Sequence, residues 1–197
     1  MIKSKSKNKI VFKNARIIDP CTGFDDLGGL LTEDKVIKDF GKNLFKDHTP
    51  DDALIIDCQN HILCPGFIDL NANIGEPGEE FKENINTASD AALASGITSI
   101  VCMPNTNPVI DQIPIIQYIE KRARETNGVK IYPAASITKN LEGKQLTEMG
   151  LLLEAGAILF SEANKVISNT KVMKQALTYA KNFNATIMIS PQDPDLS

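Results

Sequence analysis

Between residues 9 and 64, apolar and polar positions alternate in short runs broken by turn residues. "IVFKNARIID" alternates, "PCTGFDD" turns, and "LGGLLTEDKVIKDFG" reads as two strands around a turn at Glu33-Asp34. "ALIIDCQNHILCPG" supplies a further pair of strands, turning at Gln59-Asn60. The stretch carries no helical period, so residues 1–64 are expected to form part of a small β-sandwich. After Pro65 the rhythm changes. The segments "FIDLNA", "TSIVCMP", "VKIYPAAS", "AILFSEA" and "ATIMIS" read as strands. Between them lie the helical patterns "FKENINTASDAALASG", "IPIIQYIEKRARETNG", "TEMGLLLEAG" and "NTKVMKQALTYAKNFN", the first closed by Gly96 at the C′ position. Five strands alternating with four helices predict consecutive parallel βα units over residues 65–197. A doubly wound sheet and a (β/α)8 barrel both accommodate that alternation, and periodicity does not choose between them.

The composition is that of an ordinary globular chain: 197 residues, 42% apolar and 23% charged. A net charge of −4 gives no reason to expect nucleic acid or a membrane surface as partner. The one basic run, Lys3 to Lys9, reads as a solvated tail. No apolar run approaches the ~18 residues of a membrane span, and the N-terminus lacks the apolar core of a secretory signal. Cys21, Cys58, Cys64 and Cys102 have neither C-x-x-C nor metal-ribbon spacing. They read as thiols of a reducing compartment, which makes the cytoplasm the expected location.

Dinucleotide and nucleoside-triphosphate chemistry find no support. The first βα turn lacks G-x-G-x-x-G, and no P-loop follows any strand. The stretch "PGFIDLNANIGEPGEE", Pro65 to Glu80, holds the first candidates. Asp69 reads as a structural acid beside the strand end, and Glu76 with Pro77-Gly78 as the shaper of a loop. Glu79, Glu80, Lys82 and Glu83 are expected to open the first helix, where acids suit the positive end of the dipole. Asn105 and Asn107 flank Thr106 in a tight loop of the kind that favours asparagine. Glu162 and Asp193 are candidate oxygen ligands for a hard cation such as Mg²⁺. Lys139, Lys144 and Lys165 follow strands and are candidates for meeting an anion.

The run "CPGFIDLNANIGEPGEEFKENINTASDAALASGITSIVCMPNTNPVIDQ", Cys64 to Gln112, resembles the dihydroorotases of the amidohydrolase superfamily through "EPG" and "MPNTNPV". The likeness continues through "LLLEAGAILFSEA" to "SPQDPDLS" and so covers nearly the whole chain. It implies an α/β fold, the N-terminal part of a TIM-type amidohydrolase barrel preceded by part of a sandwich built from both chain ends. It also implies the third step of pyrimidine biosynthesis, the cyclisation of carbamoyl-aspartate to dihydroorotate by a zinc-bound hydroxide. A full barrel has eight βα units and this chain offers five, so the resemblance implies a piece of a longer protein.

The departures fall on the metal site. The family's first-strand His-x-His falls at Asn71 and Asn73, and its substrate arginine at Gly75. Its bridging aspartate falls at Ala163, or at Glu162 with a slip of one, and its fifth-strand histidine at Ser190. The substrate asparagine is kept, at Asn105. The chain's two histidines, His48 and His61, precede the first barrel strand. Neutral amides are poor zinc ligands, so no metal, no cofactor and no catalytic residue is expected. Noncatalytic dihydroorotase homologues assemble with aspartate transcarbamoylase, and the resemblance implies that partner and an oligomeric whole protein. Two other functions remain open: an active dihydroorotase with substituted ligands, and a module that binds carbamoyl-aspartate through Asn105 without turnover.

Overall fold

In the computed structural model, residues 8–126 and 128–192 are described. The chain divides between Pro65 and Gly66 into two compact units. The first is a five-stranded sheet: β1 (Lys9–Asp19), β2 (Phe24–Glu33), β3 (Val36–Lys42), β4 (Ala53–Asp57) and β5 (Ile62–Leu63), in the order β3-β2-β1-β4 with β5 also on β1. Hairpin β2–β3 turns at Asp34-Lys35, one residue later than the sequence suggests, and both residues have positive φ (52° and 65°). That is the backbone of a tight hairpin turn matched to strand twist.

The strands on either side of Gln59-Asn60 do not pair with each other, contrary to the hairpin expectation. β4 runs parallel to β1 along Lys9–Lys13, and β5 parallel to Arg16–Ile17. The turn instead steps the chain past an irregularity in β1 at Asn14, whose φ is +53°. Ala15, Ile17 and Leu30 form the buried apolar centre, with Phe12, Phe24 and Phe40 packed on it. Of the expected sandwich, one layer is present among the described residues.

The second unit carries β6 (Phe67–Ala72), α1 (Ile85–Ala94), β7 (Ile97–Cys102), α2 (Ile113–Glu125), β8 (Lys130–Ser136), α3 (Met149–Glu154), β9 (Leu159–Ser161), α4 (Thr170–Lys181) and β10 (Ile187–Met188). A short 3-10 turn, Lys139–Leu141, follows β8. All neighbouring strands are parallel, and their spatial order repeats their chain order, β6 to β10. A doubly wound sheet reverses direction part-way. Here each crossover adds its strand on the same side, and right-handed crossovers of that kind put the helices on one face. The order is that of successive staves of a barrel.

The two faces are distinct. Ile100, Cys102, Ile131, Ala135 and Phe160 pack against Ile85, Ile116, Ile119, Leu152 and Ala176 of the helices. Val101, Met103, Ala134 and Leu159, the alternate positions, form a second cluster built from strands alone, with Met188 packed on it. That second cluster marks the concave face.

α1 begins at Ile85, four residues after Phe81, because Asn84 caps it. The Asn84 side chain accepts from the backbone N–H of Asn86 and Thr87, and the Thr87 hydroxyl accepts from Asn84 N–H. Glu79, Glu80, Lys82 and Glu83 therefore precede the helix, and its first turn holds no acid. The expected helix-dipole role for those acids is overturned by a stronger local cap. Gly96, with φ +77°, follows the C-cap Ser95 as the sequence suggests. No described helix is long and apolar enough to cross a membrane.

Candidate functional site

In parallel βα folds, side chains that meet ligands leave from the C-terminal ends of the strands. Asn71 and Asn73 at β6, Asn105 after β7, Glu162 and Ala163 after β9, and Ser190 after β10 all sit on that edge of the sheet. The fold thus brings to one edge the positions that the family resemblance assigns to metal and substrate, while Asp193 lies outside the described residues.

The first two loops are interlocked. Asn107 N–H donates to Pro77 O at 3.0 Å, and the Thr106 hydroxyl donates to Pro108 O at 2.7 Å. Gly78 has φ +100°, and a Cβ there would collide with the backbone carbonyl of Asn107. This close approach ties "EPG" to "MPNTNPV", two motifs far apart in sequence. Gly78→Ala is expected to cost about 1–3 kcal/mol through its left-handed backbone and this collision. The urea midpoint of the variant measures it, and an unchanged midpoint would show that the loops do not interlock. Asn105, at the tip of the second loop, is exposed, and its side chain makes no hydrogen bond among the described residues.

Glu76 is not aimed at the strand ends. It is 2% exposed, and it accepts from Ile85 N–H at 2.9 Å, from the Tyr118 hydroxyl at 2.7 Å and from Arg122 Nε at 2.7 Å. Burial alone would raise its carboxyl. The Arg122, Ile85 and Tyr118 hydrogen bonds outweigh that and hold it below the ordinary carboxylate value. The expectation that Glu76 shapes the loop agrees with this geometry. The sequence shows neither Tyr118 nor Arg122 as its partners, since they lie 42 and 46 residues away on α2.

Glu162 is also committed. Its two oxygens accept from Thr138 N–H at 2.7 Å and from the Thr138 hydroxyl at 2.9 Å, fixing the chain beyond β8. Burial pushes this carboxyl up, against the lowering effect of the Thr138 bonds. Asp69 accepts from Asn71 N–H at 2.9 Å, a local turn-type contact. Lys144 pairs with Glu142 at 3.3 Å and Lys165 donates to Leu141 O at 3.1 Å, both contacts being made to the loop after β8 that also carries Lys139.

The donor set at the strand ends does not fit zinc. Asn71 and Asn73 offer neutral amide oxygens, Ser190 a neutral hydroxyl and Ala163 a methyl group, whereas zinc takes imidazole, thiolate or carboxylate. Among the described residues, no three His, Cys, Asp or Glu side chains are grouped to hold a metal ion. His61 belongs to the first unit, where its Nδ1 lies 2.7 Å from Cys58 O. At Gly75, where the family resemblance places a substrate arginine, the backbone is tightly packed. A Cβ on Gly75 would come within 2.5 Å of Glu79 O and 2.9 Å of Glu83 O, so the loop is closed over that site.

Residues 60–196 match the family described as dihydro-orotase-like. The chain is 45% identical over 193 residues to a protein named dihydroorotase from Wolbachia sp. subsp. Drosophila simulans (strain wRi), covering 98% of this chain and 43% of that protein. It is 41% identical over 189 residues to one of the same name from Syntrophus aciditrophicus (strain SB), covering 96% and 44%. The chain therefore spans less than half the length of these curated relatives. Among solved structures it superposes on an L-hydantoinase from Arthrobacter aurescens with a TM-score of 0.73 at 18% identity, covering 91% of this chain and 40% of that one. A D-hydantoinase from Thermus sp. gives 0.68 at 22% identity, covering 95% and 41%. These superpositions carry the fold alone: the second unit is part of a TIM-type barrel.

Proposed function

Because the chain belongs to the dihydro-orotase-like family, we propose that it is part of a dihydroorotase-like protein of de novo pyrimidine biosynthesis that no longer catalyses the reaction. In this reading its role is structural, as a partner of aspartate transcarbamoylase in the cytoplasm. The observation that carries the reading is the donor chemistry of the strand ends: two amides, a methyl and a hydroxyl at the positions where the family resemblance places metal ligands. Without a metal-bound hydroxide the ring amide has neither nucleophile nor Lewis acid. The loop framework persists all the same, with Gly78 against Asn107. Retained shape with lost chemistry fits a chain selected for its surface.

Capture of the protein from its own cells tests the partner. Transcarbamoylase activity is expected to elute with it, and to remain with it after Asn105→Ala, because Asn105 lies at the strand ends and not on the outer helices. Elution of the protein at its own mass, with all transcarbamoylase activity in other fractions, overturns the structural role. A second reading, an active dihydroorotase with substituted ligands, draws on the 45% identity to a protein of that name. The third, a non-catalytic binder of carbamoyl-aspartate, draws on Asn105 alone and is weakened by the closed backbone at Gly75.

A further inference from the structure

One buried side-chain polar atom among the described residues has no hydrogen-bond partner: the hydroxyl oxygen of Ser136. Ser136 ends β8 and is fully buried. Its backbone is satisfied, the N–H donating to Ile110 O at 2.8 Å and the carbonyl accepting from the Thr147 hydroxyl at 2.7 Å. Only the side chain is left over. Its register partner on β9 is Ser161, also buried at 2% exposure. Two residues earlier on the same strands, Ala134 and Leu159 are register partners and belong to the strand-only cluster. The strand period of two therefore puts both serines on the concave face, at its C-terminal end. Ser161 Oγ accepts from Ala163 N–H at 3.0 Å, which leaves its own proton to donate.

We infer that Ser136 and Ser161 form a two-hydroxyl subsite on the concave face that takes a single oxygen acceptor. The acceptor is a water molecule, or the carbonyl or carboxylate oxygen of a small ligand that replaces it. A buried hydroxyl without a partner loses its hydration for nothing, and a neighbouring donor on the same face gives one oxygen two hydrogen bonds. The inference goes beyond the structural-partner reading and does not depend on it.

The test compares thermal unfolding of the full chain with Ser136→Ala, Ser161→Ala, the double variant and Ser136→Cys, each with and without acetate as the carboxylate probe. If the subsite is filled, Ser136→Ala lowers the midpoint by several degrees. The double variant then loses less than the sum of the singles, because both lose the same oxygen, and Ser136→Cys, of similar shape but a weaker donor, falls between. If Ser136 is a dry orphan, Ser136→Ala leaves the midpoint unchanged or raises it and the singles add, and the inference is overturned. Acetate separates the sources. A rise in the midpoint that is lost in Ser136→Ala identifies a ligand oxygen, and no rise in either identifies water. Should every variant fail to fold, a high-resolution crystal structure of the unaltered chain decides by the presence or absence of an oxygen within hydrogen-bond reach of both hydroxyls.

Discussion

Hydrolysis of dihydroorotate by this protein is expected to stay at the uncatalysed background under saturating Zn²⁺ or Mn²⁺, and the purified protein is expected to hold no stoichiometric zinc. Catalysis by a metal hydroxide depends on lowering the pKa of bound water from 15.7 to about 7, which needs a cation held by charged or imidazole ligands. Asn71, Asn73, Ala163 and Ser190 supply neither. The loss is on the scale of an enzyme's whole rate enhancement, roughly a million-fold or more. Asn71→His with Asn73→His is not expected to restore it, because the β9 and β10 positions remain without ligands. Adding Gly75→Arg makes matters worse, since a side chain there meets the backbone of Glu79 and Glu83. Elemental analysis and a turnover assay on the same sample check this. One tightly bound zinc per chain, or turnover above background, would favour the active reading.

The second large effect concerns stability. Glu76→Ala is expected to cost about 1–3 kcal/mol, the range for leaving the partners of a buried acceptor unsatisfied, since Arg122 stays partly exposed and paired with Glu125. The loss strips the Tyr118 hydroxyl, Arg122 and Ile85 N–H of their shared acceptor at once. The pH dependence gives an independent signature. The Glu76 carboxyl is lowered in the folded protein, so its contribution is present above the ordinary carboxylate value of about 4.3 and is lost as pH falls through the lowered value. Glu162 has the opposite sign. Its carboxyl is raised, so its contribution is present below the ordinary value and fades as pH rises through the raised one. Urea unfolding from pH 3 upward, roughly the span around these carboxylate values, reads both. Glu76→Ala should flatten the acid limb and spare the opposite trend. An acid limb as steep in the variant as in the parent would show that Glu76 is not the group responsible.

Much of the second unit was legible because its signals are local. Strand β6 has the bounds that "FIDLNA" suggests, Asn169 caps α4, and Gly96 closes α1 in a left-handed conformation. Apolar alternation, a capping side chain and a glycine each act over a few residues, and a linear reading captures them. Ends set by competition were less legible. α1 starts four residues after Phe81 because the reciprocal Asn84–Thr87 cap overrides the earlier acids. β10 shrinks to Ile187–Met188, within the longer apolar run "ATIMIS", because pairing with β9 spans two residues.

By itself the sequence determined the alternation of strands and helices, and the absence of imidazole, thiolate and carboxylate at Asn71, Asn73, Ala163 and Ser190. It did not choose between a doubly wound sheet and a barrel, because both have the same period. The choice rests on which strands become neighbours, a property of long-range pairing. Only the tertiary structure showed that β4 and β5 both lie on β1, that Gly78 meets Asn107, and that Glu76 is held by two residues of α2. The pairing of Ser136 with Ser161 is of the same kind. A serine's burial and its lack of a partner depend on what the fold places beside it, and no spacing within one strand encodes that.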